Sequence, residues 1–332
     1  GAPYQALAEL SVRIMAAAGT TGIGLTHLPV LYSFGGAGQA ELVGGQRRFG
    51  NDVERFNRLV SDARDAAGSL PPDACVGIAP HSLRATSPAD LQALLAAHPT
   101  GPVHIHIAEQ RREVADISAW LGARPVQWLL DNQPVDKRWC LIHATHMQNS
   151  ETVAMAGTGA VAGLCPITEA NLGDGVFDGA VYLQNGGAFG IGSDSNVRIS
   201  LTEELRTLEY SQRYRDMARN VLASEGSTGE SSTGETIYLG AARGGAQALG
   251  RNSGVIRAGS LADLVAIDRS HPALCALSDT QLLDGLIFAA SDAAITDLWS
   301  AGRHRVQQGR HIARDQILRN YRKTIDELLD EI

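Results

Sequence analysis

The stretch His104-Ile105-His106-Ile107-Ala108-Glu109 decides how this chain is interpreted. Side chains alternate along a β-strand, so the two histidines share one face and the two isoleucines share the other. Glu109 falls just past this short apolar strand, where the chain turns towards a helix. A histidine at a strand end and a carboxylate in the next loop can serve one reaction centre, as in (β/α) barrels. The alternative is a buried strand with two structural histidines, and the motif alone does not choose between them.

Outward from this stretch, short apolar segments alternate with longer amphipathic ones. Strands are predicted at Gly22–Val30, Cys75–Pro80, Val103–Ala108, Trp139–His143, Ala160–Leu164 and Phe189–Ser193. Helices are predicted at Ala6–Ala18, Asp52–Ala67, Pro88–Ala97, Arg111–Leu121, Ser150–Gly157, Thr202–Leu222 and Ile237–Leu249. Continuous apolar strands are typical of a parallel sheet that is covered on both faces. Their alternation with helices indicates repeated βα units.

This pattern predicts an α/β fold, a (β/α)₈ barrel of the TIM type, over residues 1–250. Six strands are visible where a closed barrel has eight. We therefore expect the first two strands to precede Gly1, in a native protein that is longer by roughly a hundred residues. Short strand segments after about Gly254 predict part of a small β-sandwich domain over residues 251–312. A charged helix, Asp315–Glu331, is predicted within residues 313–332.

Composition excludes several classes of partner. The formal net charge of -8, without a long basic run, argues against nucleic acid. No run of about 18 apolar residues is present, so no membrane span is predicted. The four cysteines are far apart and form no CxxC pair, which indicates reduced thiols in a cytoplasmic protein. We expect a small-molecule substrate and a homodimer.

Polar side chains follow five successive predicted strands. In chain order these are His81 with Arg84, His106 with Glu109, His143, Glu169 with Asn171, and Asp194. The carboxyl ends of barrel strands converge on one face, where active sites lie. One such residue is a weak signal, whereas five successive strand ends predict an active site. His104 lies one layer deeper and is predicted to be structural, while Glu169 and Asn171 either line the site or cap a helix.

The residue types at these strand ends suit metal-assisted hydrolysis. Zinc binds histidine nitrogen and aspartate oxygen and lowers the pKa of its water to about 7, so His106 and Asp194 are candidate ligands. Glu109 can carry a proton to a leaving nitrogen. His143 can orient or polarise the attacking water. Arg84 can hold a substrate carboxylate in a fork of hydrogen bonds.

Several of these motifs together resemble the amidohydrolase superfamily. They are His106-Ile-Ala-Glu109, His143, Leu164-Cys-Pro-Ile-Thr-Glu-Ala-Asn-Leu-Gly173 and Gly192-Ser-Asp-Ser195. The HxxE after strand five resembles the deaminase branch, which binds a single zinc ion. The chain is more similar still to the formimidoylglutamate deiminase family. That similarity covers nearly the whole chain, through Gly24–Tyr32, Gln46–Phe49, His81–Ala85, Pro102–Gln110, Arg138–His146 and Thr168–Gly175.

This resemblance implies an activity and a role for each candidate residue. The implied reaction is hydrolysis of N-formimino-L-glutamate to N-formyl-L-glutamate and ammonia in histidine degradation. One zinc ion per subunit is implied, although such sites also accept iron or other divalent metals. The implied roles are metal ligand for His106, ligand and proton acceptor for Asp194, proton donor to the leaving ammonia for Glu109, a place beside the nucleophile for His143, and substrate binding for His81 and Arg84.

The chain also departs from this family. Superfamily members carry two further histidine ligands in an HxH on strand one, and we expect these upstream of Gly1. Asn196 stands where the resemblance places a histidine. Two alternatives stay open: another deaminase of this branch, acting on guanine, cytosine or an adenosine derivative, and a non-catalytic amidohydrolase-like scaffold. The segment His81-Ser-Leu-Arg84 favours an acidic substrate over a nucleobase.

Overall fold

The computed structural model describes residues 6–226, 229 and 231–330. Its strands are β1 (Thr26–His27), β2 (Val30–Leu31), β3 (Cys75–Val76), β4 (Ala79–Pro80), β5 (Val103–Ile107), β6 (Trp139–His143), β7 (Val161–Leu164), β8 (Ala188–Ile191), β9 (Ser224–Glu225), β10 (Ser231–Ser232), β11 (Leu264–Ile267), β12 (Ile295–Ser300), β13 (Arg303–Gln307) and β14 (Arg310–His311). Its α-helices are α1 (Glu9–Thr21), α2 (Val53–Ala67), α3 (Pro88–Ala97), α4 (Arg111–Leu121), α5 (Pro125–Asn132), α6 (Asn149–Gly157), α7 (Pro166–Leu172), α8 (Gly179–Gln184), α9 (Leu201–Asp216), α10 (Thr233–Ala248), α11 (Leu282–Phe288) and α12 (Arg314–Asp330).

Parallel strands succeed one another in chain order. β1 pairs with β3 and β2 with β4, while β5, β6, β7 and β8 form one parallel ladder. Bridges from Ile78 to Val103 and from Ser82 to His106 join these two parts. The predicted parallel α/β architecture is therefore confirmed. Within the described residues no ladder joins β8 to β1 or β2, so closure by eight strands stays a prediction.

The inner and outer faces of the sheet differ as the alternation in β5 predicts. Ile105 and Ile107 are buried in the main apolar core, together with helix residues such as Phe56 and Leu129. Burying a side chain of this size stabilises the fold by about 1.5–3 kcal/mol. The histidines of β5 take the opposite face, away from the covering helices.

Some predicted boundaries are wrong. The predicted strand Gly22–Val30 is reduced to β1 and β2, separated by Pro29, which has no N–H to extend a ladder. The predicted helix Thr202–Leu222 ends at Asp216, because Met217 adopts a left-handed backbone with a φ of 50°. The short helices α5, α7, α8 and α11 were not predicted.

Helix α10 closes the N-terminal end of the sheet. At its C-terminal turn the carbonyl of Ala248 bonds with His104 Nε2 at 2.8 Å, and the carbonyl of Leu249 accepts from Thr26 Oγ1 at 2.7 Å. Gln247 donates to backbone carbonyls that precede β6 and β7. His104 thus has a hydrogen-bonded structural position at the end opposite Glu109.

Glycines let α10 lie directly against β8. A Cβ at Gly244 would overlap the backbone carbonyl of Phe189, and a Cβ at Gly240 would come within 2.5 Å of the Phe189 ring. Glycine is needed at Gly244 because the two backbones are in contact, and at Gly240 because the Phe189 ring occupies the space of a side chain. The neighbouring Gly245 has open space around its missing side chain.

An antiparallel sheet follows, in the strand order β11-β12-β13-β14. It is tied to the N-terminal end of the parallel sheet by Asp73, which binds Arg303 at 2.7 Å and Arg251 at 3.2 Å. The hydrogen bond from Arg303, with that from Arg251, lowers the pKa of Asp73 to about 2 although burial opposes this shift. A sandwich needs a second sheet. The described residues of this region form one sheet, so the β-sandwich stays a prediction.

No helix in the described ranges is both long and apolar enough to cross a membrane.

Candidate active site

Three histidines from neighbouring strands form a row at the carboxyl end of the sheet. The ring centroids of His81 and His106 are 5.0 Å apart, and those of His106 and His143 are 5.5 Å apart. His81 follows β4, His106 lies in β5 and His143 ends β6. The predicted convergence of strand ends thus brings these three side chains together, at the end opposite α10.

His106 presents one ring nitrogen for binding. Its Nδ1 bonds with the carbonyl oxygen of His81 at 2.9 Å, and because a carbonyl only accepts, this nitrogen carries the proton. Nε2 is then left with a lone pair, as in histidines that bind metals. Burial, reinforced by His143, lowers the pKa of His106 despite this hydrogen bond and the nearby acids. The ring is therefore neutral at pH 7, the form that a metal ligand requires.

His143 lies between two carboxylates. Its side chain is buried, with Nδ1 at 3.0 Å from Glu169 Oε1 and Nε2 at 3.9 Å from Glu109 Oε1. Burial lowers the pKa of His143, but the hydrogen bond to Glu169 and the charge of Glu109 outweigh it, so the net shift is upward. This histidine is suited to hold or move a proton near neutral pH.

Glu109 is placed between a histidine and an arginine. Its Oε2 lies 3.6 Å from Arg84 Nη2, and its other oxygen faces His143. Both separations are too long for direct hydrogen bonds, so the carboxylate is not locked to either neighbour. Arg84 Nε is buried and has no hydrogen-bond partner among the described residues. Arg84 is thus available for a further anionic partner.

His81 is an uncharged member of the row of histidines. Its Nδ1 lies 3.0 Å from Ser82 Oγ, and its ring meets Tyr32 edge-on with centroids 4.7 Å apart. Burial lowers the pKa of His81 to about 3, helped by the charges of His106 and Arg84. His81 is neutral at pH 7 and can offer only a hydrogen bond, so positive charge at this position comes from Arg84.

Asp194 approaches the same histidines from the end of β8. It is exposed, and its φ of 53° places it in the left-handed region. Burial lowers the pKa of His106 and of His143, and the negative charge of Asp194 opposes that effect at both rings.

Left-handed backbone recurs at these strand ends. Ala108 has a φ of 51°, His143 of 69° and Ala144 of 48°. Such conformations are uncommon for residues with a Cβ and concentrate at functional sites. They turn the chain sharply after β5 and β6, which directs the side chains that follow towards the row of histidines.

Glu169 contacts both His143 and the start of α7, so a role in the site and a role as a cap both stay open. It binds His143, and its Oε1 also accepts from the backbone of Cys165, the N-cap residue of α7. Asn171 is exposed and takes no part in the row of histidines. The sequence interpretation missed Glu113, whose buried carboxylate accepts from two backbone amides beside Glu109. Its position at N3 of α4 resembles a capping box and could have revealed it.

The described residues offer a metal only part of a ligand set. They contain no group of three or more His, Cys, Asp or Glu placed to hold one ion. Zinc binds four donors, commonly nitrogen and oxygen in catalytic sites. His106 Nε2 and the Asp194 carboxylate are one donor of each kind, so their chemistry suits two of the four positions of such a site.

Comparison with known sequences gives a consistent family. The model of the amidohydrolase family matches residues 10–304. A formimidoylglutamate deiminase of Pseudomonas aeruginosa is 48% identical over 334 residues, covering 99% of this chain and 72% of that protein. A 5-methylthioadenosine/S-adenosylhomocysteine deaminase of Bacillus cereus is 29% identical over 238 residues, covering 70% of this chain. This chain spans about half, 52%, of that second relative.

Solved structures give the same fold. The crystal structure of an amidohydrolase from Brucella melitensis superposes with a TM-score of 0.92 at 50% identity, covering 98% of this chain and 71% of that one. An adenosine deaminase from Xanthomonas campestris, crystallised with bound zinc, has a TM-score of 0.79 at 24% identity, covering 96% of this chain and 70% of that one. At that identity the second likeness concerns the fold alone.

Proposed function

We propose, from the premise that this chain belongs to the amidohydrolase family, that it hydrolyses N-formimino-L-glutamate to N-formyl-L-glutamate and ammonia. The chain is a hydrolase of carbon–nitrogen bonds. The placement of Glu109 between His143 and Arg84, together with the free nitrogen of His106 in the same row of histidines, carries the proposal. The relative that is 48% identical, a formimidoylglutamate deiminase, supports this choice of substrate.

The proposed cofactor is a divalent metal, with zinc as the first choice. His106 Nε2 and Asp194 would hold it as two of its ligands. When bound, the metal acidifies a water molecule and polarises the imino group. Zinc is the metal named for the structurally similar adenosine deaminase.

The chain's own residues would move the protons. Asp194 accepts a proton from the attacking water, whose oxygen becomes the formyl oxygen of the product. Glu109 would carry the second proton of this water to the imino nitrogen, the proton held by Asp194 would follow, and the C–N bond would then break to release ammonia. His143, held by Glu169 at 3.0 Å, orients the water and stabilises negative charge that develops beside it.

Recognition of the glutamate part would fall to Arg84 and His81. Arg84 supplies a permanent positive charge, and its unpartnered Nε leaves a donor for a substrate carboxylate. His81 contributes a neutral hydrogen bond, because burial keeps its pKa low. The substrate carboxylate and Glu109 would then both lie near the positive charge of Arg84.

A substrate panel tests the proposal. The intact, metal-loaded protein is assayed for ammonia release from N-formimino-L-glutamate, guanine, cytosine and 5-methylthioadenosine. We expect turnover of the formimino compound only, with the acetimino analogue as a control for recognition of the amidine carbon. Turnover of a nucleobase or nucleoside in its place would overturn the proposal. Bound metal without any ammonia release would favour a scaffold.

The domain division at residues 250 and 312, the homodimer and the cytoplasmic location stay predictions.

A further inference from the structure

We propose that Glu113 is the positioning residue of Glu109. Glu113 holds the turn after β5 in the one backbone conformation that places the Glu109 carboxylate between His143 and Arg84. This inference deepens the proposed function, on which its catalytic consequence rests.

The contacts of Glu113 form a clamp on two successive backbone amides. Glu113 lies in the first turn of α4 with 2% of its surface exposed. Its Oε1 accepts from the amide of Ala108 at 3.1 Å, and its Oε2 accepts from the amide of Glu109 at 2.9 Å. Hydrogen bonds from amides to a buried carboxylate are charge-assisted and therefore strong. Both carboxylate oxygens are committed to the segment that carries the proton donor.

The segment that Glu113 binds has a strained backbone, which its own conformational preference does not stabilise. Ala108 is 1% exposed and has a φ of 51°, in the left-handed region that a residue with a Cβ seldom adopts. Its carbonyl accepts from the amide of His146 at 2.9 Å, so both backbone groups of Ala108 are fixed. Relaxation of Ala108 to a negative φ would rotate the following peptide and move Glu109 away from His143.

Glu113 also interacts electrostatically with Arg84, the arginine that faces Glu109. Arg84 acts on Glu113 electrostatically and also faces Glu109 at 3.6 Å. Burial raises the pKa of Glu113, while Arg84 and the two amides lower it. The net shift of the Glu113 pKa is upward, because burial outweighs Arg84 and the two amides.

A second clamp of the same design supplies the matched control. Glu209 in α9 is fully buried, accepts from the successive amides of Val221 and Leu222 at 3.0 Å each, and binds Arg213 at 2.6 Å. It touches none of the residues in the row of histidines. Glu209→Gln removes the same charge and breaks the same kind of bond, but in a segment that carries no catalytic group.

The first experiment compares Glu113→Gln with Glu209→Gln in the intact protein. We expect Glu113→Gln to lower kcat by about 10- to 100-fold with KM changed less than twofold and bound zinc unchanged. Glu209→Gln should lower Tm to a similar extent and leave kcat per folded molecule unchanged. Equal effects of the two variants on kcat would overturn the inference, because Glu113 would then be purely structural.

A double-mutant cycle tests whether Glu113 acts through Glu109. If it does, the Glu109→Gln, Glu113→Gln double variant is no slower than Glu109→Gln alone. Multiplication of the two losses would contradict the inference. Should Glu113→Gln fail to fold, the same cycle is run with Ala108→Gly added, because glycine adopts the left-handed turn without strain.

Amide hydrogen exchange gives a readout that needs no turnover. Glu113→Gln should accelerate exchange at the amides of Ala108 and Glu109, while Glu209→Gln should not. Unchanged exchange would refute the clamp itself. If the wild-type protein releases no ammonia from N-formimino-L-glutamate, the proposed function fails, and exchange still decides whether Glu113 holds this turn.

Discussion

The two ends of the parallel sheet are built from the same strands and have opposite properties. At the N-terminal end, α10 covers the strands, and polar groups such as His104 Nε2 and Thr26 Oγ1 find backbone acceptors. At the carboxyl end, Arg84 Nε lacks a partner, and Glu109 lies close to two groups without bonding to either. Strained residues such as Ala108 and His143 also lie there. We infer that one end stabilises the fold and the other end performs the chemistry.

This contrast indicates that a functional site is marked where buried polar atoms without hydrogen-bond partners and strained backbone occur together. A buried polar atom without a partner costs about 1–3 kcal/mol, and strained backbone adds to that cost. The carboxyl end retains these costs, while the other end satisfies equivalent groups within the same sheet. Substitutions at the two ends should therefore separate activity from stability.

The largest expected effect is on turnover, from Glu109→Gln at the carboxyl end. Loss of the proton donor should lower kcat about 1000-fold, equivalent to about 4 kcal/mol of activation free energy. Tm and bound zinc should stay unchanged, because Glu109 is not a proposed ligand. Steady-state ammonia release and metal analysis provide the measurements. Glu54→Gln, on the exposed face of α2, is the control, and turnover above a tenth of wild type would exclude Glu109 as the proton donor.

The next largest effect should be a loss of stability from a substitution at the N-terminal end of the sheet, which α10 covers. Gly244→Ala places a methyl group against the backbone carbonyl of Phe189, which cannot move aside. We expect a loss of about 3 kcal/mol in the free energy of unfolding, with kcat per folded molecule retained. Urea denaturation followed by circular dichroism measures this loss. Gly245→Ala has free space and should be neutral or stabilising. Equal stability of the two variants would show that α10 does not close the sheet as described.

A pH-dependent effect is expected where the antiparallel sheet is attached. Hydrogen bonds from Arg303 and Arg251 lower the pKa of Asp73 from 3.8 to about 2. Because the pKa of Asp73 is depressed in the folded state, its ionised carboxylate stabilises the fold fully at pH values above 3.8, the pKa in the unfolded chain. This stabilisation is lost as the pH falls through about 2. Asp73→Asn should cost about 2 kcal/mol at pH 7 and much less below pH 2.

Urea midpoints at both pH values test this expectation for Asp73. Asp62→Asn, at an exposed position of α2, provides the control and should leave the midpoints unchanged. A penalty for Asp73→Asn that is the same at pH 7 and pH 2 would contradict the ionic origin of this contact.

The smallest effect should come from the loss of one neutral hydrogen bond at the N-terminal end of the sheet. Thr26→Val removes the donor to the Leu249 carbonyl, 2.7 Å away. The expected loss is about 1 kcal/mol of unfolding free energy without any change in kcat. Thr20→Val in exposed α1 should change the stability less. A change in kcat for Thr26→Val would break the separation between the two ends.

Local signals predicted much of the framework. Pro88–Ala97 agrees at both ends, because Ser87 caps the helix and Pro88 occupies its first position. Trp139–His143 agrees because a fully apolar run ends in a polar residue. The short helices α5, α7, α8 and α11 escaped prediction, since helices of this length depend on tertiary packing more than on their own propensity.

The site was predictable in its location and less so in its internal contacts. Strand ends in an α/β sheet converge, so the grouping of His81, His106 and His143 followed from the strand pattern. Contacts across the site did not follow. The neutral state of His81 depends on burial, and the role of Glu113 depends on a turn geometry that sequence spacing does not specify.

The left-handed residues after β5 and β6 limit how the specificity of this scaffold can be engineered. In a combinatorial library that randomises Ala108 or Ala144, most variants would carry side chains that the left-handed backbone disfavours. Valine, isoleucine and threonine are disfavoured most. At Ala108, the suitable replacements are glycine, asparagine and aspartate, because these residues adopt the left-handed conformation most readily. Diversity is better placed at exposed positions with ordinary backbone conformation, such as Val43, whose side chain lies in solvent.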